Sequence, residues 1–347
     1  MSSSAPKIAV VKSVYYPDLW VCKKTNDPIE LFYTSLMRCA QVALAAEFAA
    51  DFYIINPDKP IVKDFNIHTK KNKYEGLPFL DETFHSQYSM AELAYNVDDI
   101  NWGEYNIVIA INDIIPERIS RKYNKILWCY YDGENQNMDT INSRVYDVKL
   151  NQDVGLSTMP AFSIGFPYTF LGSNTLENIS KNFNVSVSSP TNRTGIFMEI
   201  NNTTERPVVQ IPPDFQEISR AVNMPIIRHN QNIVENLINL SNSKYFVKIH
   251  GRPIRGNAVL EAISSGVLVL INSGLLYYKD LIPEYCRVSN ARDVIEKIKH
   301  LEKNPDLYTE LLKKQKEILR RNYFERPIVD LFQRYDRKCA AAAAEKN

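Results

Sequence analysis

The chain has 347 residues, enough for about two domains of ordinary size, and its 45% hydrophobic and 23% charged residues are typical of folded globular proteins. Forty-one Lys and Arg residues against 40 Asp and Glu residues leave a net charge of +1, which excludes a strong overall field for nucleic acid. The five cysteines are widely spaced and form no C-x-x-C pair, so neither a zinc site nor a dense disulfide framework is predicted. We therefore expect a folded protein of a reducing compartment.

The N-terminus has no basic segment followed by an apolar one, and no apolar run reaches the roughly 18 residues of a membrane span. Both observations predict a cytoplasmic protein, in the host cytoplasm if the source is viral. The many Asn, Lys, Ile and Tyr residues are typical of an AT-rich genome, viral or bacterial.

In the first half of the chain, short apolar runs bounded by turn residues alternate with helical segments. Strands are predicted at 7–12, 52–55, 105–111 and 125–131, and helices at 31–48 and 116–123. From Asn151 to Thr194 the apolar pattern weakens, and Ser and Asn cluster between Asn174 and Asn192. This change in composition predicts a domain boundary.

The alternation resumes in the second half. Strands are predicted at 195–200, 245–249 and 267–271, and helices at 233–240, 257–265, 291–302 and 305–321. The basic run at 313–321 is interpreted as a solvated helix face. The chain ends in a segment at 326–337 and five alanines, which we expect to fray. The whole pattern predicts an α/β protein with two Rossmann-like halves.

The chain lacks both glycine-rich phosphate motifs, G-x-G-x-x-G after the first strand and G-x-x-x-x-G-K-[ST] anywhere. The segment from Lys248 to Ile271 offers another way to bind a phosphate, because it is predicted as strand, basic loop, helix, glycine cap and strand. Arg252 and Arg255 precede the helix start, where guanidinium groups and backbone N–H groups could converge on a diphosphate. Glu261 lies one turn deeper and could accept from ribose hydroxyls. The alternative is that the arginines are solvated and that Glu261 is exposed.

Carboxylates at the carboxyl ends of strands are candidates for a general base. Asp132 ends its predicted strand, Asp18 follows the first strand, and Asp113 is a further candidate. The alternative for Asp132 is a turn with Gly133. His250 could contact a phosphate or a sugar, or be a structural histidine. The chain has no H-E-x-x-H motif and no convincing Asp-x-Asp loop, so no bound metal is predicted.

The run from Ala258 to Tyr308, which contains V-L-E-A-I-S-S-G-V-L-V-L-I-N, L-I-P-E-Y and N-P-D-L-Y, resembles the donor-binding domain of GT-B glycosyltransferases. The resemblance implies two Rossmann-like domains facing across a cleft. The second domain would bind the nucleotide sugar, and a last helix would cross back to the first. The corresponding boundaries are an N-terminal acceptor-side domain at 1–173, a linker at 174–193, a C-terminal donor domain at 194–322, and a crossing helix and tail at 323–347.

Within that fold, the phage DNA β-glucosyltransferases are similar in a strand that ends in an aspartate, here Asp132. This similarity implies Asp132 as general base, Glu261 as a donor-binding acid and Arg206 as a diphosphate ligand. The chain departs from the family patterns at two positions. Pro253 stands eight positions before Glu261, where many retaining members have an acid, and this favours inversion. Ala258 stands where the phage enzymes have an arginine.

We therefore predict a metal-independent, inverting glycosyltransferase. It would move a sugar from a nucleotide diphosphate sugar, carried by UDP or GDP, to a hydroxyl of a glycan or other acceptor, with no further cofactor. Alternatives are a phage-type DNA glucosyltransferase, which the near-neutral charge disfavours, a nucleotide-sugar epimerase, and a catalytically silent module that binds a nucleotide or glycan. The predicted catalytic residues are Asp132 and Asp18. The predicted donor-binding residues are Arg206, Lys248, His250, Arg252, Arg255, Gly256, Asn257, Ala258 and Glu261.

Overall fold

A computed structural model describes residues 6–13, 50–56, 95–111, 115–132, 145–151, 163–165, 192–198, 211–228, 233–251, 257–275 and 279–344. The chain divides into two compact units: unit 1 contains residues 1–71, 75–172 and 323–347, and unit 2 contains residues 72–74 and 173–322. The predicted helix at 31–48 and residues 174–191 of the predicted linker lie outside the described residues.

The described strands of unit 1 form one seven-stranded parallel sheet. They are β1 (Ile8–Ser13), β2 (Asp51–Asn56), β3 (Tyr95–Asn96), β4 (Ile107–Ile111), β5 (Leu127–Asp132), β6 (Val148–Asn151) and β7 (Ser163–Gly165). Their order in the sheet is β3-β2-β1-β4-β5-β6-β7. The chain builds outward from β1 in one direction and then from β4 in the other. This is the Rossmann strand order with one additional strand, and its switch point lies between β1 and β4.

The described strands of unit 2 form a second parallel sheet. They are β8 (Ile196–Met198), β9 (Ile226–Arg228), β10 (Tyr245–Lys248) and β11 (Leu268–Ile271), in the order β11-β10-β8-β9. The switch point of this sheet therefore lies between β8 and β10. The strands predicted at 245–249 and 267–271 are confirmed to within one residue, whereas β9 was not predicted.

Seven α-helices occur in the described part of the chain. They are α1 (Glu117–Lys122), α2 (Pro213–Val222), α3 (Ile233–Asn242), α4 (Asn257–Ser264), α5 (Ala291–Lys303), α6 (Pro305–Arg320) and α7 (Arg326–Ala344). A π-helical segment at Arg321–Glu325 joins α6 to α7, and the division between the two units falls within it. Helix α2 was not predicted, and the other six lie where helical segments were expected.

Both faces of the unit 1 sheet are buried, which explains why its strands are continuous apolar runs in the sequence. On one face, Ile107 packs in a cluster with Ile328 and Leu331 of α7. On the other face, the next residue, Val108, packs in a cluster with Trp102. Adjacent residues of a strand point to opposite faces, so the central strands β1, β4 and β5 each contribute to both clusters.

Polar contacts also hold α7 on unit 1. Lys338 Nζ donates to Ile126 O at 2.8 Å and to Asp147 Oδ2 at 2.6 Å. Asn106 Nδ2 donates to the hydroxyl of Tyr335 at 2.5 Å. These bonds connect α7 to the segments around β4, β5 and β6, so the last helix of the chain is an integral part of unit 1.

The five alanines at the end of the chain continue α7, which runs through Ala344. The expectation that they fray is therefore wrong. Alanine has the highest helix propensity, and adding residues to an existing helix costs far less than starting one. Because α7 is already formed and packed, its alanine end propagates the helix.

The edge strand β11 of unit 2 has its outer side covered by other parts of the chain. Val269 N donates to Gln315 Oε1 at 3.1 Å, and Gln315 Nε2 donates to Val269 O at 2.9 Å. Further along, Val288 N donates to Ile271 O at 3.0 Å. The fully buried Gln315 side chain of α6 thus replaces the hydrogen bonds of an absent neighbouring strand.

Candidate functional site

The switch point of the unit 2 sheet is the place where ligands bind in open α/β folds, just beyond the carboxyl ends of the strands. The two strands that flank it, β8 and β10, end at Met198 and Lys248. The chain that follows β8 contains Arg206, and the chain that follows β10 contains His250 and leads to α4. The predicted donor-binding residues therefore all follow, or end, these two strands.

Several predicted site residues lie outside the described part of the chain. These are Asp18, Asp113, Arg206, Arg252, Arg255 and Gly256. Asn257 is the first residue of α4, and its side chain also lies outside the described part. Their roles stay predictions.

Asp132 is the last residue of β5 in unit 1. Its backbone pairs in register with Asn151 of β6, and β5 is the neighbour of β4, which flanks the switch point of this sheet. The backbone of Asp132 thus lies at the carboxyl end of an interior strand, whereas its side chain is outside the described part. Its role as a general base stays a prediction.

Two of the predicted donor-binding residues are fully buried charged side chains. Lys248 at the end of β10 and Glu261 in the second turn of α4 both have 0% relative exposure, while Ala258 in the first turn is half-buried. Each of the two charged side chains interacts within the protein. Removing a charge from water costs several kcal/mol unless it is compensated, so neither is an ordinary surface charge. The alternative in which Glu261 is an exposed helix residue is therefore excluded. Because this side chain is fully buried, it can contact a ribose only if the residues around it move.

His250 makes a short polar contact at this edge of the sheet. Its Nε2 lies 2.5 Å from Oδ2 of Asp214. Asp214 lies in the first turn of α2, at the end of the connection that leaves β8, whereas His250 follows β10. The contact therefore joins the two chain segments that leave the switch-point strands. The side chains of His250 and Asp214 are 58% and 42% exposed, so a ligand can reach the pair.

The backbone conformation at the position after His250 requires a glycine. Gly251 has a φ of +95°, a left-handed conformation that side chains with a Cβ rarely adopt. The chain therefore changes direction directly after His250, at the edge of the sheet. Lys248 O, three positions earlier, accepts from Asn272 N at 2.9 Å, which extends the contact between the ends of β10 and β11.

The carboxyl end of α4 is held by a buried arginine. Arg193 donates through one guanidinium nitrogen to Ser265 O at 2.7 Å and to Gly266 O at 2.8 Å. Burial lowers the pKa of Arg193. Gly266, with a φ of +76°, is the glycine cap that the sequence predicted. These contacts satisfy carbonyl groups at the end of α4 that the helix leaves without partners, and they fix the helix that follows the candidate site.

The described residues include no group of three or more His, Cys, Asp or Glu side chains arranged to hold a metal ion. None of the described helices is both long enough and apolar enough to cross a membrane.

No family model matches the chain, and no curated protein matches its sequence. Solved structures do match over most of the chain. T4 phage BGT, in complex with UDP and Mn2+, has 12% identity and a TM-score of 0.40, and the match covers 95% of this chain and 99% of that one. The glycotransferase of kitacinnamycin has 12% identity and a TM-score of 0.41, covering 95% and 98%. The spinosyn forosaminyltransferase SpnP has 8% identity and a TM-score of 0.40, covering 95% and 99%.

These three matched structures are GT-B glycosyltransferases. These TM-scores are near 0.4, so the fold class is assigned from the two sheets and not from the matches. Each unit has a parallel sheet with its own switch point, and the predicted α/β fold with two Rossmann-like halves is confirmed.

Proposed function

We propose that the protein is a glycosyltransferase of the GT-B type, which moves a sugar from a nucleotide diphosphate sugar to a hydroxyl acceptor. One observation carries the proposal: the predicted donor-binding residues end, or follow, the two strands β8 and β10 that flank the switch point of unit 2. The resemblance of residues 258–308 to a donor-binding domain supports the same unit as the donor site.

In this proposal the diphosphate lies at the amino end of α4, with Arg252 and Arg255 as its cationic partners. Backbone N–H groups and the helix dipole both favour an anion at such an end. Glu261, one turn further, accepts from the ribose once its surroundings have moved. UDP or GDP is the proposed carrier, and the named T4 phage structure contains UDP.

The chemical step needs a base for the acceptor and stabilisation of the leaving diphosphate. We assign the base to Asp132 or Asp18, which would take the proton of the acceptor hydroxyl as its oxygen attacks the anomeric carbon. The bond from that carbon to the diphosphate oxygen breaks in the same step, with inversion. The arginines and the helix dipole would stabilise the developing negative charge without a metal, so transfer should persist in EDTA. The acceptor is a hydroxyl of a glycan or glycoconjugate.

Nucleotide binding is the first test. UDP, GDP, dTDP and CMP, each also as its sugar conjugate, are added to the protein, and the melting temperature is measured. A nucleotide at about 100 times its Kd stabilises the folded state by about 2.7 kcal/mol, a shift of a few degrees. We expect one base to give this shift.

Glu261→Gln tests the site itself, since the variant keeps the volume of the buried side chain and loses its charge. The ligand-induced shift should become smaller in Glu261→Gln, because a neutral amide oxygen accepts a weaker hydrogen bond from a ribose hydroxyl than a carboxylate does, and it should be unchanged in Glu296→Gln, a control at an exposed carboxylate of α5. Arg255→Ala serves if Glu261→Gln does not fold. Absence of any shift in the unmodified protein would contradict the proposal, and binding without sugar transfer to any acceptor would favour a silent binding module.

A further inference from the structure

We infer that Asp214 is a positioning residue of the donor site: it holds the imidazole of His250 so that the other ring nitrogen, Nδ1, donates to the diphosphate of the donor. This inference rests on the proposed function and adds a residue that the sequence did not single out. It starts from the 2.5 Å contact between Asp214 Oδ2 and His250 Nε2.

The location of the pair distinguishes it from an arbitrary surface contact. Its two members lie 36 positions apart in sequence, one after each of the strands that flank the switch point. Asp214 belongs to the first turn of α2, and His250 lies between the end of β10 and the turn at Gly251. The hydrogen bond therefore fixes two otherwise separate connections at the edge where ligands bind in this class of sheet.

The chemistry of the contact determines which ring nitrogen is left for a ligand. An ionised carboxylate only accepts hydrogen bonds, so Nε2 must carry a proton and donate it to Asp214. Among the described residues, Asp214 is the one side-chain partner of His250. The second nitrogen, Nδ1, is therefore the ring atom left for a ligand, and the fixed Nε2 bond sets the ring orientation.

Phosphate is the ligand group that fits this position. A protonated imidazole donates from both nitrogens, so it can bridge the Asp214 carboxylate and a phosphate oxygen. Asp214 lies in the first turn of α2, and His250 precedes α4 in the chain. The amino ends of helices favour anions. Folding alone gives little reason for the pair, since exposed ion pairs contribute only about 0–1 kcal/mol to stability.

The test compares ligands with and without phosphates. The probes are UDP, GDP and dTDP, and, for the one that binds best, its nucleoside. Asp214→Ala should weaken binding of the nucleoside diphosphate by roughly tenfold, as expected for loss of a hydrogen bond to a charged group, and change nucleoside binding less than twofold. His250→Ala should give the same pattern.

Two further variants separate positioning from a structural role. Asp214→Asn keeps an oxygen that can accept from Nε2, so it should restore most of the affinity that Asp214→Ala loses. The double variant Asp214→Ala/His250→Ala should bind the diphosphate no more weakly than His250→Ala alone, because Asp214 acts through His250. Glu296→Gln, which alters an exposed pair with Arg292 on α5, is the matched control and should bind like the unmodified protein.

Three results would overturn the inference. These are an equal loss of nucleoside and diphosphate binding in Asp214→Ala, additive losses in the double variant, or tighter diphosphate binding in Asp214→Ala, as expected if the carboxylate occupies the place of the phosphate. Failure of the proposed function is distinct, because the unmodified protein would then bind none of the three nucleotides.

Discussion

The buried side chain of Gln315 permits a quantitative prediction about how unit 2 protects its edge strand. Gln315 both accepts from Val269 N, at 3.1 Å, and donates to Val269 O, at 2.9 Å. Replacing it with methionine keeps an unbranched side chain of similar volume and removes both hydrogen bonds. The backbone N–H and C=O of Val269 then remain buried, because residue 269 is 0% exposed.

A buried polar group left without a partner costs about 1–3 kcal/mol. Two such groups give about 2–6 kcal/mol, and the apolar contacts of the methionine offset part of this. We expect Gln315→Met to reduce the free energy of unfolding of unit 2 by about 3 kcal/mol, which is a large fraction of the stability of a domain of this size.

Hydrogen exchange measured by mass spectrometry is a suitable assay, because it reports on unit 2 without assuming that the whole chain unfolds in one step. A loss of about 3 kcal/mol should accelerate exchange of the β11 amides on the order of a hundredfold. Glu317→Met, at an exposed position of α6, is the control and should change exchange less than threefold.

Gln315→Glu sharpens the test. A protonated carboxyl can donate to Val269 O as the amide does, whereas a carboxylate cannot. The stability of this variant should therefore approach that of the unmodified protein at acidic pH and fall as the pH rises. If Gln315→Met changes exchange no more than the control, or if Gln315→Glu shows no dependence on pH, the proposed edge protection is wrong.

Leu331→Ala should lower the free energy of unfolding, measured in urea, by about 2–5 kcal/mol, because this side chain is 0% exposed in the core of unit 1. Val329→Ala, at a residue of the same helix that is 50% exposed, is the control and should change the free energy of unfolding by less than about 0.5 kcal/mol. Equal effects would contradict the packing of α7 described above. Burial raises the pKa of the Cys129 thiol well above its ordinary value and that of Cys286 to about 12. At about pH 8, iodoacetamide should therefore alkylate the exposed Cys339 and spare Cys129 and Cys286 until the protein unfolds, as peptide mapping would show.

Most secondary structure elements were predictable because both sheets are buried and parallel, which gives continuous apolar runs such as 268–271. The strands that were not predicted have little local signal: β3, β6, β7 and β9 have only two to four residues each. The basic run at 313–321 was interpreted as a solvated face, yet Gln315 is buried within it. A helical period extended from Tyr308 and Leu312 would have placed Gln315 on the buried face, since all three lie on one side of α6.

The part of the candidate site that follows a single strand could be predicted from the sequence. The contact between residues that follow two different strands could not. His250 was found because it closely follows a recognisable strand, next to the basic segment of the chain. Asp214 was missed, since its helix begins at the second of two consecutive prolines in a stretch with no predicted element, and no spacing rule relates residues 36 positions apart. The order of the strands in the sheet brings the two residues together, and no local sequence pattern predicts that order.

The membership of α7 in unit 1 also has a consequence for how the protein is made. Residues 173–322 of unit 2 are synthesised before the chain reaches residues 323–347, the last segment of unit 1. Until α7 emerges, the face of the sheet that includes Ile107 lacks Ile328 and Leu331, and its apolar surface stays open to aggregation. A premature stop codon just before α7 would therefore leave this face of the unit 1 sheet without part of its core.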